Sequence, residues 1–405
     1  MPQWLDIRIE KHLAVLRKLN LSFDFVEVQK QVDAAPMAQV SQNSHVADRK
    51  SLNLEIWCSN DYLAMGQNPL VAEAAINVLK TFGVGSGGGR HAGGTNPEHV
   101  KLEREIADLH SREAALLCNS GYAANDAAIR TLMQLIPNGT FVIDELSHAS
   151  MRECFRRSSA RLEVFLHNDV ADLRRKLESL PKGTRAVILF ESIYGMEGDL
   201  APLRQILEIA EEYDAVTYLD EVHAVACRGP EGAGLAAELG IAEHFTIIQG
   251  GLGKAYGAMG GYIAASERIV SAVSGAGASF IFTTSLPPAI AAAGLASMKY
   301  LRRSDTERWA LQERSEVLRN KLRKNGIPTL GESHIVPVLV GGTEACFAMS
   351  DRLVQRGFYI RPITFPAVPH GEARLRITPT PAHTTDSIER LADAITAAWA
   401  ELGLP

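Results

Sequence analysis

The 405-residue chain, 46% hydrophobic and 22% charged, has the balance of an ordinary globular protein and is long enough for two or three domains. A net charge of -6 gives nucleic acid no electrostatic footing, so no nucleic-acid partner is expected. The five cysteines (Cys58, Cys118, Cys154, Cys227 and Cys346) form no C-x-x-C pair, so neither a disulfide framework nor a metal site is expected, and a reducing, cytoplasmic setting fits.

Residues 1–21 mix acids and bases along a helical apolar pattern, unlike a signal or transit peptide. They are expected to form an amphipathic helix packed on the body. Residues 34–55 are polar and weakly patterned and read as a loop, so 1–55 would be an N-terminal helix and loop. From residue 56 apolar runs at 114–117, 140–143, 186–191, 215–220, 245–249 and 262–264 alternate with helical stretches such as 203–213. Buried strands alternating with helices predict a mostly parallel α/β sheet in a large domain spanning 56–288. Chemistry in such sheets sits at the carboxyl ends of strands, where Glu191 and Asp220 stand. After Pro287-Pro288 come a long helical segment (289–325), strands near 334–340 and 374–378, and a last helix at 385–402, which predict a smaller C-terminal α/β domain over 289–405. No apolar run approaches the roughly 20 residues of a membrane span, so no membrane association is expected.

Six motifs carry candidate chemistry. In GGLGKAYG, Lys254 lies among small residues. A phosphate-binding P-loop is excluded, because Ile248 and Ala255 stand where it needs Gly and Ser or Thr. The motif reads either as a surface turn or as a Schiff-base lysine held close to a flat cofactor. Asp220-Glu221-Val222-His223 closes a strand. It is either a plain helix start or a carboxylate that keeps a pyridine nitrogen protonated, with an imidazole in reach of the ring oxygen. His148, in Ser147-His148-Ala149-Ser150, is either a turn histidine or one stacked on that ring. Asn119-Ser120-Gly121-Tyr122 offers backbone N–H groups at a helix start, suited to phosphate. GVGSGGGRHAGG satisfies G-x-G-x-x-G at Gly83, Gly85 and Gly88, but a helical stretch precedes it where a dinucleotide site needs a strand, so it reads as a loop lining a substrate pocket. Arg374 and Arg376 share one face of a strand, as a solvated basic face or as a carboxylate clamp. Each motif alone is modest. Their order on successive strand ends is hard to obtain by chance.

The segments WCSNDYLAMG (57–66), SGYAAN (120–125), SHASM (147–151), YLDEVHAV (218–225), GLGKAYGAMGGYIA (251–264), FIFTTSLPP (280–288), HIVPV (334–338) and RLRITPTPAHT (374–384) resemble the α-oxoamine synthases, closest to the 5-aminolevulinate synthase family. The resemblance implies a pyridoxal-phosphate-dependent transferase of fold type I, aspartate-aminotransferase-like, working as a homodimer with a shared active site. It implies a decarboxylative condensation of a small amino acid with an acyl-CoA or acyl-carrier thioester to an α-aminoketone. Lys254 would be the Schiff-base lysine, with Asp220 on the pyridine nitrogen, His223 on the ring oxygen and His148 on the ring face. Ser120, Gly121 and Tyr122 would lie near the phosphate, with Thr283 or Thr284 reaching it from the partner subunit. Asn60 and Arg376 would hold the amino acid, Arg376 by its carboxylate.

The chain departs from the 5-aminolevulinate synthase pattern where that family binds substrate. Its loop reads GGGRHAGGT in place of GGTRNISGT, so Gly89 replaces a threonine that confines the amino-acid pocket to glycine. His91 replaces an asparagine, and Ala367 a threonine, that hold the succinyl carboxylate, and Phe23 stands near the place of an N-terminal arginine with the same role. Gly195 and Gly251 replace hydroxyl residues beside the cofactor. A hydrogen bond to a charge is worth about 1.5–3 kcal/mol, so losing three donors predicts an uncharged, more lipophilic acyl group, and Gly89 an amino acid larger than glycine. The alternatives are a genuine 5-aminolevulinate synthase using glycine and succinyl-CoA, and a pyridoxal-phosphate aldolase, lyase or aminotransferase on the same fold. Acyl chain length, the amino acid, the thioester carrier and the pathway are not fixed by the sequence.

Overall fold

The structure is a computed structural model that describes residues 1–18, 25–41, 51–156 and 158–405. Seven strands form the central sheet, in the spatial order Ala114–Cys118, Gly261–Ala265, Ile247–Gly251, Val216–Asp220, Ala186–Glu191, Thr140–Asp144 and Arg161–Phe165. Gly261–Ala265 runs antiparallel to both neighbours, and the other pairings are parallel. Successive residues of the inner strands point into different layers. Phe141, Val187, Leu189 and Ile247 enter one core, and Val142, Ile188, Phe190 and Ile248 the other. Helices cover both faces, which is why these strands read as unbroken apolar runs. The edge strand Arg161–Phe165 lacks that signature because Arg161 and Val164 are exposed.

Val336–Gly341, Ala373–Ile377 and Pro362–Ile363 form an antiparallel sheet. Its strands share a core with Leu318, Met349, Leu391 and Trp57. The segment expected as a loop at 34–55 instead contains Met37–Ser41 and Ser51–Ile56, paired antiparallel, with Glu27–Lys30 alongside and Phe358–Tyr359 added in parallel. Its polar alternation is that of a half-exposed ribbon, with Ala38, Val40, Leu54 and Ile56 turned inward. The N-terminal helix Gln3–Lys18 is present but is not packed on the body. None of its residues is buried, and Trp4 is 63% exposed. The single long helical segment expected at 289–325 is two helices, Pro288–Arg303 and Thr306–Lys324. The break falls at Ser304, whose hydroxyl bonds Glu307 at 2.6 Å, a side-chain alternative to continuing the helix. Among the described residues no helix is long and apolar enough to cross a membrane.

This architecture sets Asp144, Glu191 and Asp220 at the carboxyl ends of neighbouring parallel strands. Helix Gly121–Leu135 starts just beyond Ala114–Cys118, and it fits only because the facing strand begins with Gly261. A Cβ there would lie 2.3 Å from the Gly121 nitrogen.

Candidate active site

Asp220 is 2% exposed and lies in register opposite Glu191. Its carboxylate accepts from Val222 N at 2.9 Å and from Asn125 Nδ2 at 3.2 Å. Asn125 also accepts from the Tyr218 hydroxyl at 2.7 Å and donates to Ser150 Oγ at 2.9 Å, and that hydroxyl lies 2.7 Å from His148 Nδ1. Contacts thus run unbroken from the acid to the predicted stacking histidine. Glu191 accepts from the His148 backbone nitrogen at 2.6 Å and holds the loop in place. Burial raises the Asp220 carboxyl above its usual range and lowers the His148 imidazole. A cationic ring nitrogen against Asp220 is the partner that favours its ionised form.

Lys254 follows strand Ile247–Gly251. Its Nζ is 2.6 Å from His223 Nε2, and His223 Nδ1 is 2.7 Å from the Tyr62 hydroxyl. Burial, and secondly the Arg376 charge, lower the Lys254 ammonium to about 8. Burial and the Lys254 charge push His223 well below its usual value. Arg376 donates to the Tyr62 hydroxyl at 2.6 Å, to Asn60 Oδ1 at 2.9 Å and to the Gly195 carbonyl. The two strand arginines differ in one respect. Arg374 is neutralised by Glu197 at 3.2 Å and Glu372 at 2.8 Å. Arg376, 6% exposed, meets only neutral acceptors among the described residues. A buried guanidinium without a counter-ion is costly, and an incoming carboxylate matches its fork.

Ser120 caps helix Gly121–Leu135 by accepting from Ala123 N at 3.1 Å, and among the described residues no acceptor takes the Gly121 or Tyr122 N–H. Asn119 Nδ2 reaches Thr283 Oγ1 at 3.2 Å and the Thr284 carbonyl at 2.7 Å. The threonines therefore already approach the helix start within one chain.

Residues 53–395 match the family described as aminotransferase class I and II. The chain is 48% identical to the 5-aminolevulinate synthase of Rhizobium meliloti over 351 residues, 86% of this chain and 87% of that one. It is 44% identical to the 5-aminolevulinate synthase of Rhodobacter capsulatus over 98% of both chains. A serine palmitoyltransferase from S. paucimobilis superposes with a TM-score of 0.88 at 27% identity, covering 98% of each chain. The chain belongs to the class I and II aminotransferase family, among its α-oxoamine synthases. It is a pyridoxal-phosphate-dependent C-acyltransferase with the aminotransferase-like fold.

The residues of this α-oxoamine synthase fit that cofactor. One amine, one strand-end carboxylate, two imidazoles and a helix start with two N–H groups unpaired among the described residues are groups that would suit its aldehyde, ring nitrogen, ring oxygen and face, and phosphate. When bound, pyridoxal phosphate supplies an electron sink for a carbanion on the amino acid.

The structure does not bring every predicted residue to this centre. His91 Nε2 is 2.8 Å from the Ser274 carbonyl, and its ring stands edge-on to Phe280 at 5.8 Å. A Cβ on Gly89 would lie 3.0 Å from the Thr283 carbonyl and 3.3 Å from that of Ile281. The room expected beside Gly89 for a larger amino acid is therefore filled, on that side, by the chain's own backbone. Ala367 is exposed in a turn, its nitrogen on the Thr364 carbonyl at 3.0 Å. Phe23 lies outside the described residues. Gly195 and Gly251 stand where a side chain would not fit. A Cβ at Gly195 would sit 2.4 Å from His223 Nε2, and one at Gly251 2.4 Å from Val222 Cγ2, so the Asp220–His223 turn occupies space that larger residues would need.

Sequence reasoning missed Tyr62, Asn125, Ser150 and Glu221. Tyr62 lies inside WCSNDYLAMG, the stretch that yielded Asn60. Glu221 is fully buried and accepts from Ser192 Oγ at 2.6 Å, Leu235 N at 3.1 Å and Ala236 N at 2.8 Å, anchoring the turn between Asp220 and His223. Glu191 reads from the sequence only as a strand end, without a role.

Proposed function

We propose that this α-oxoamine synthase condenses a small amino acid with an uncharged acyl thioester, releasing carbon dioxide and thiol to give an α-aminoketone, as a homodimer with a shared active site. The observation that carries the amino-acid half is Arg376, a buried cation whose contacts are all neutral, joined to Lys254 through Tyr62 and His223. In this reading Arg376 and Asn60 hold the substrate carboxylate, and His148 covers the ring face. Asp220 keeps the ring nitrogen protonated, and His223 holds the ring oxygen. Lys254 Nζ takes the proton from the α-carbon and returns one after carbon dioxide leaves. An ammonium lowered to about 8 is poised to do both near neutral pH.

The acyl half rests on His91, Ala367 and Phe23, which stand where the family places donors for a second carboxylate, and Gly89 bears on the amino acid. Gly89 and His91 contact residues 274–283 of their own chain, not Lys254, so a substrate role for their loop calls for a second subunit. The five unpaired cysteines suit a reducing, cytoplasmic setting. One observation favours a second reading, 5-aminolevulinate synthase itself: 48% identity to a relative of that name, with the space beside Gly89 filled.

Thiol release measured for glycine, alanine and serine against succinyl-, butyryl- and octanoyl-CoA tests both. Preference for an uncharged acyl group supports the proposal, and preference for glycine with succinyl-CoA rejects it for the second reading. Turnover without thiol release would indicate an aldolase, lyase or aminotransferase.

A further inference from the structure

Outside the residues that face the cofactor, one titratable cluster is built as a clamp. His167, in the Phe165–Asp169 stretch FLHND, has Nδ1 3.0 Å from Asp144 Oδ1 and Nε2 2.8 Å from Asp199 Oδ2. Both ring nitrogens face carboxylate oxygens, so both are donors and the ring is an imidazolium. Burial lowers its pKa, but the two aspartates outweigh that and raise it to about 10. The remaining neighbours reinforce the arrangement. Asn168 donates its backbone N–H to Asp144 at 2.9 Å and its side chain to Asp199 at 3.0 Å, and Tyr194 stands edge-on to the imidazole at 4.4 Å. Glu145 accepts from the His167 backbone N–H at 2.9 Å.

The two aspartates belong to different walls of the active site. Asp144 ends strand Thr140–Asp144, accepts from Leu146 N at 2.8 Å, and begins the loop that delivers His148. Asp199 closes the turn bracketed by the Ile193–Leu200 bridge, where Tyr194 N bonds the Asp199 carbonyl at 3.2 Å. That turn carries Gly195, whose carbonyl receives Arg376 and whose Cα backs onto His223. It also carries Met196 and Glu197, which hold Arg374.

We propose that His167 is a positioning residue for the reaction: its imidazolium ties the loop of His148 to the Gly195 turn and so fixes the guanidinium of Arg376 at the distance a substrate carboxylate needs. The proposal rests on Arg376 binding that carboxylate. Without the cation, Asp144 and Asp199 are left as two carboxylates with no charge between them, and the turn keeps the neutral Asn168 bridge but loses its charged tether.

The test uses cofactor-loaded His167→Gln, His167→Gln/Asp199→Asn and Arg376→Ala, with equilibrium binding of glycine and of alanine read from the visible absorbance, beside thermal melting. Arg376→Ala should weaken binding strongly. If it does not, the carboxylate reading fails, independently of His167. Given that control, His167→Gln should weaken binding about tenfold, as sub-ångström misplacement of a clamp does. The double variant, with one carboxylate neutralised, should recover to within about threefold of the native enzyme. Binding by His167→Gln equal to native, or a lower melting temperature with no change in binding, overturns the proposal and leaves His167 a structural ion pair. If His167→Gln is not recovered folded, Asp199→Ala alone decides, because it keeps His167 on Asp144 and removes the contacts of His167 and Asn168 to the Asp199 side chain. Unchanged binding there overturns the proposal as well.

Discussion

Gly195→Ala is the smallest change that reaches the chemistry without touching a reacting group. The new methyl carbon would stand 2.4 Å from His223 Nε2 and 2.8 Å from its Cε1. Ordinary contact needs about 3.5 Å, so the imidazole must retreat by roughly 1 Å. The ring is not loose enough to do so freely, being 5% exposed and held at 2.6 Å by Lys254 and 2.7 Å by Tyr62. A shift of that size takes at least one contact beyond hydrogen-bonding distance, a loss of about 0.5–1.5 kcal/mol, to which overpacking adds about 1–3 kcal/mol. The melting temperature should fall by several degrees. kcat/KM should drop by about two orders of magnitude, the usual effect of a 1 Å misplacement at a reacting centre. Thermal melts and steady-state thiol release read these two effects, and the pH titration of the visible absorbance should shift with the displaced imidazole. A Gly195→Ala enzyme with native kinetics and an unshifted titration would refute the crowding argument.

Lys254→Ala should abolish turnover while leaving the circular dichroism native, and substantial product from the purified variant would remove Lys254 from its role. Arg376→Ala should lower kcat/KM for the amino acid by about 10²-fold or more, at 1.4 kcal/mol per tenfold for two charged hydrogen bonds, with KM for the thioester little changed; equal effects on both substrates would contradict it. The His167 clamp has a sign that stability measurements can check. Its folded pKa of about 10 exceeds the usual value of 6.5, so the folded state binds the proton more tightly. The stabilisation is full below pH 6.5 and fades as pH rises through 10, by a few kcal/mol at most. Urea unfolding between pH 6 and 10.5 should show that decline in the native protein and a flatter curve in His167→Gln.

What was legible in the sequence follows from how each feature is encoded. The inner strands announced themselves because both faces are buried, and Asp220 and Lys254 sit where strand ends give way to chemistry. The ribbon of Glu27–Lys30, Met37–Ser41 and Ser51–Ile56 stayed hidden because its strands are short and half-exposed, and the strand that extends it in parallel comes some three hundred residues later. Tyr62 was invisible as a partner of His223 for the same reason: 161 residues separate the two rings. Arg374 and Arg376 look equivalent on their strand. Only the fold shows that one faces Glu197 and the other faces neutral acceptors. Conversely, the sequence reading of Gly89 as open space lacked the carbonyls of Ile281 and Thr283 that fill it.

That last point bears on how acyl preference could be moved. If donors at 91 and 367 are what a succinyl carboxylate requires, restoring them should restore its use. Gly89→Thr alone should not, because its Cβ meets the Thr283 carbonyl at 3.0 Å and must push the 281–284 segment, which also holds Asn119. The single variant is expected to lose about 1–2 kcal/mol of stability with no gain in succinyl-CoA turnover. His91→Asn with Ala367→Thr avoids that clash, since His91 and Ala367 are both exposed. Two charge-assisted bonds at about 1.5–3 kcal/mol each predict a gain of at least about 10²-fold in kcat/KM for succinyl- over butyryl-CoA. The competing substrates are measured side by side in the same thiol-release assay. A double variant with the native ratio would mean that the succinyl carboxylate, if bound at all, is held by other residues, and the case for an uncharged acyl group would fall with it.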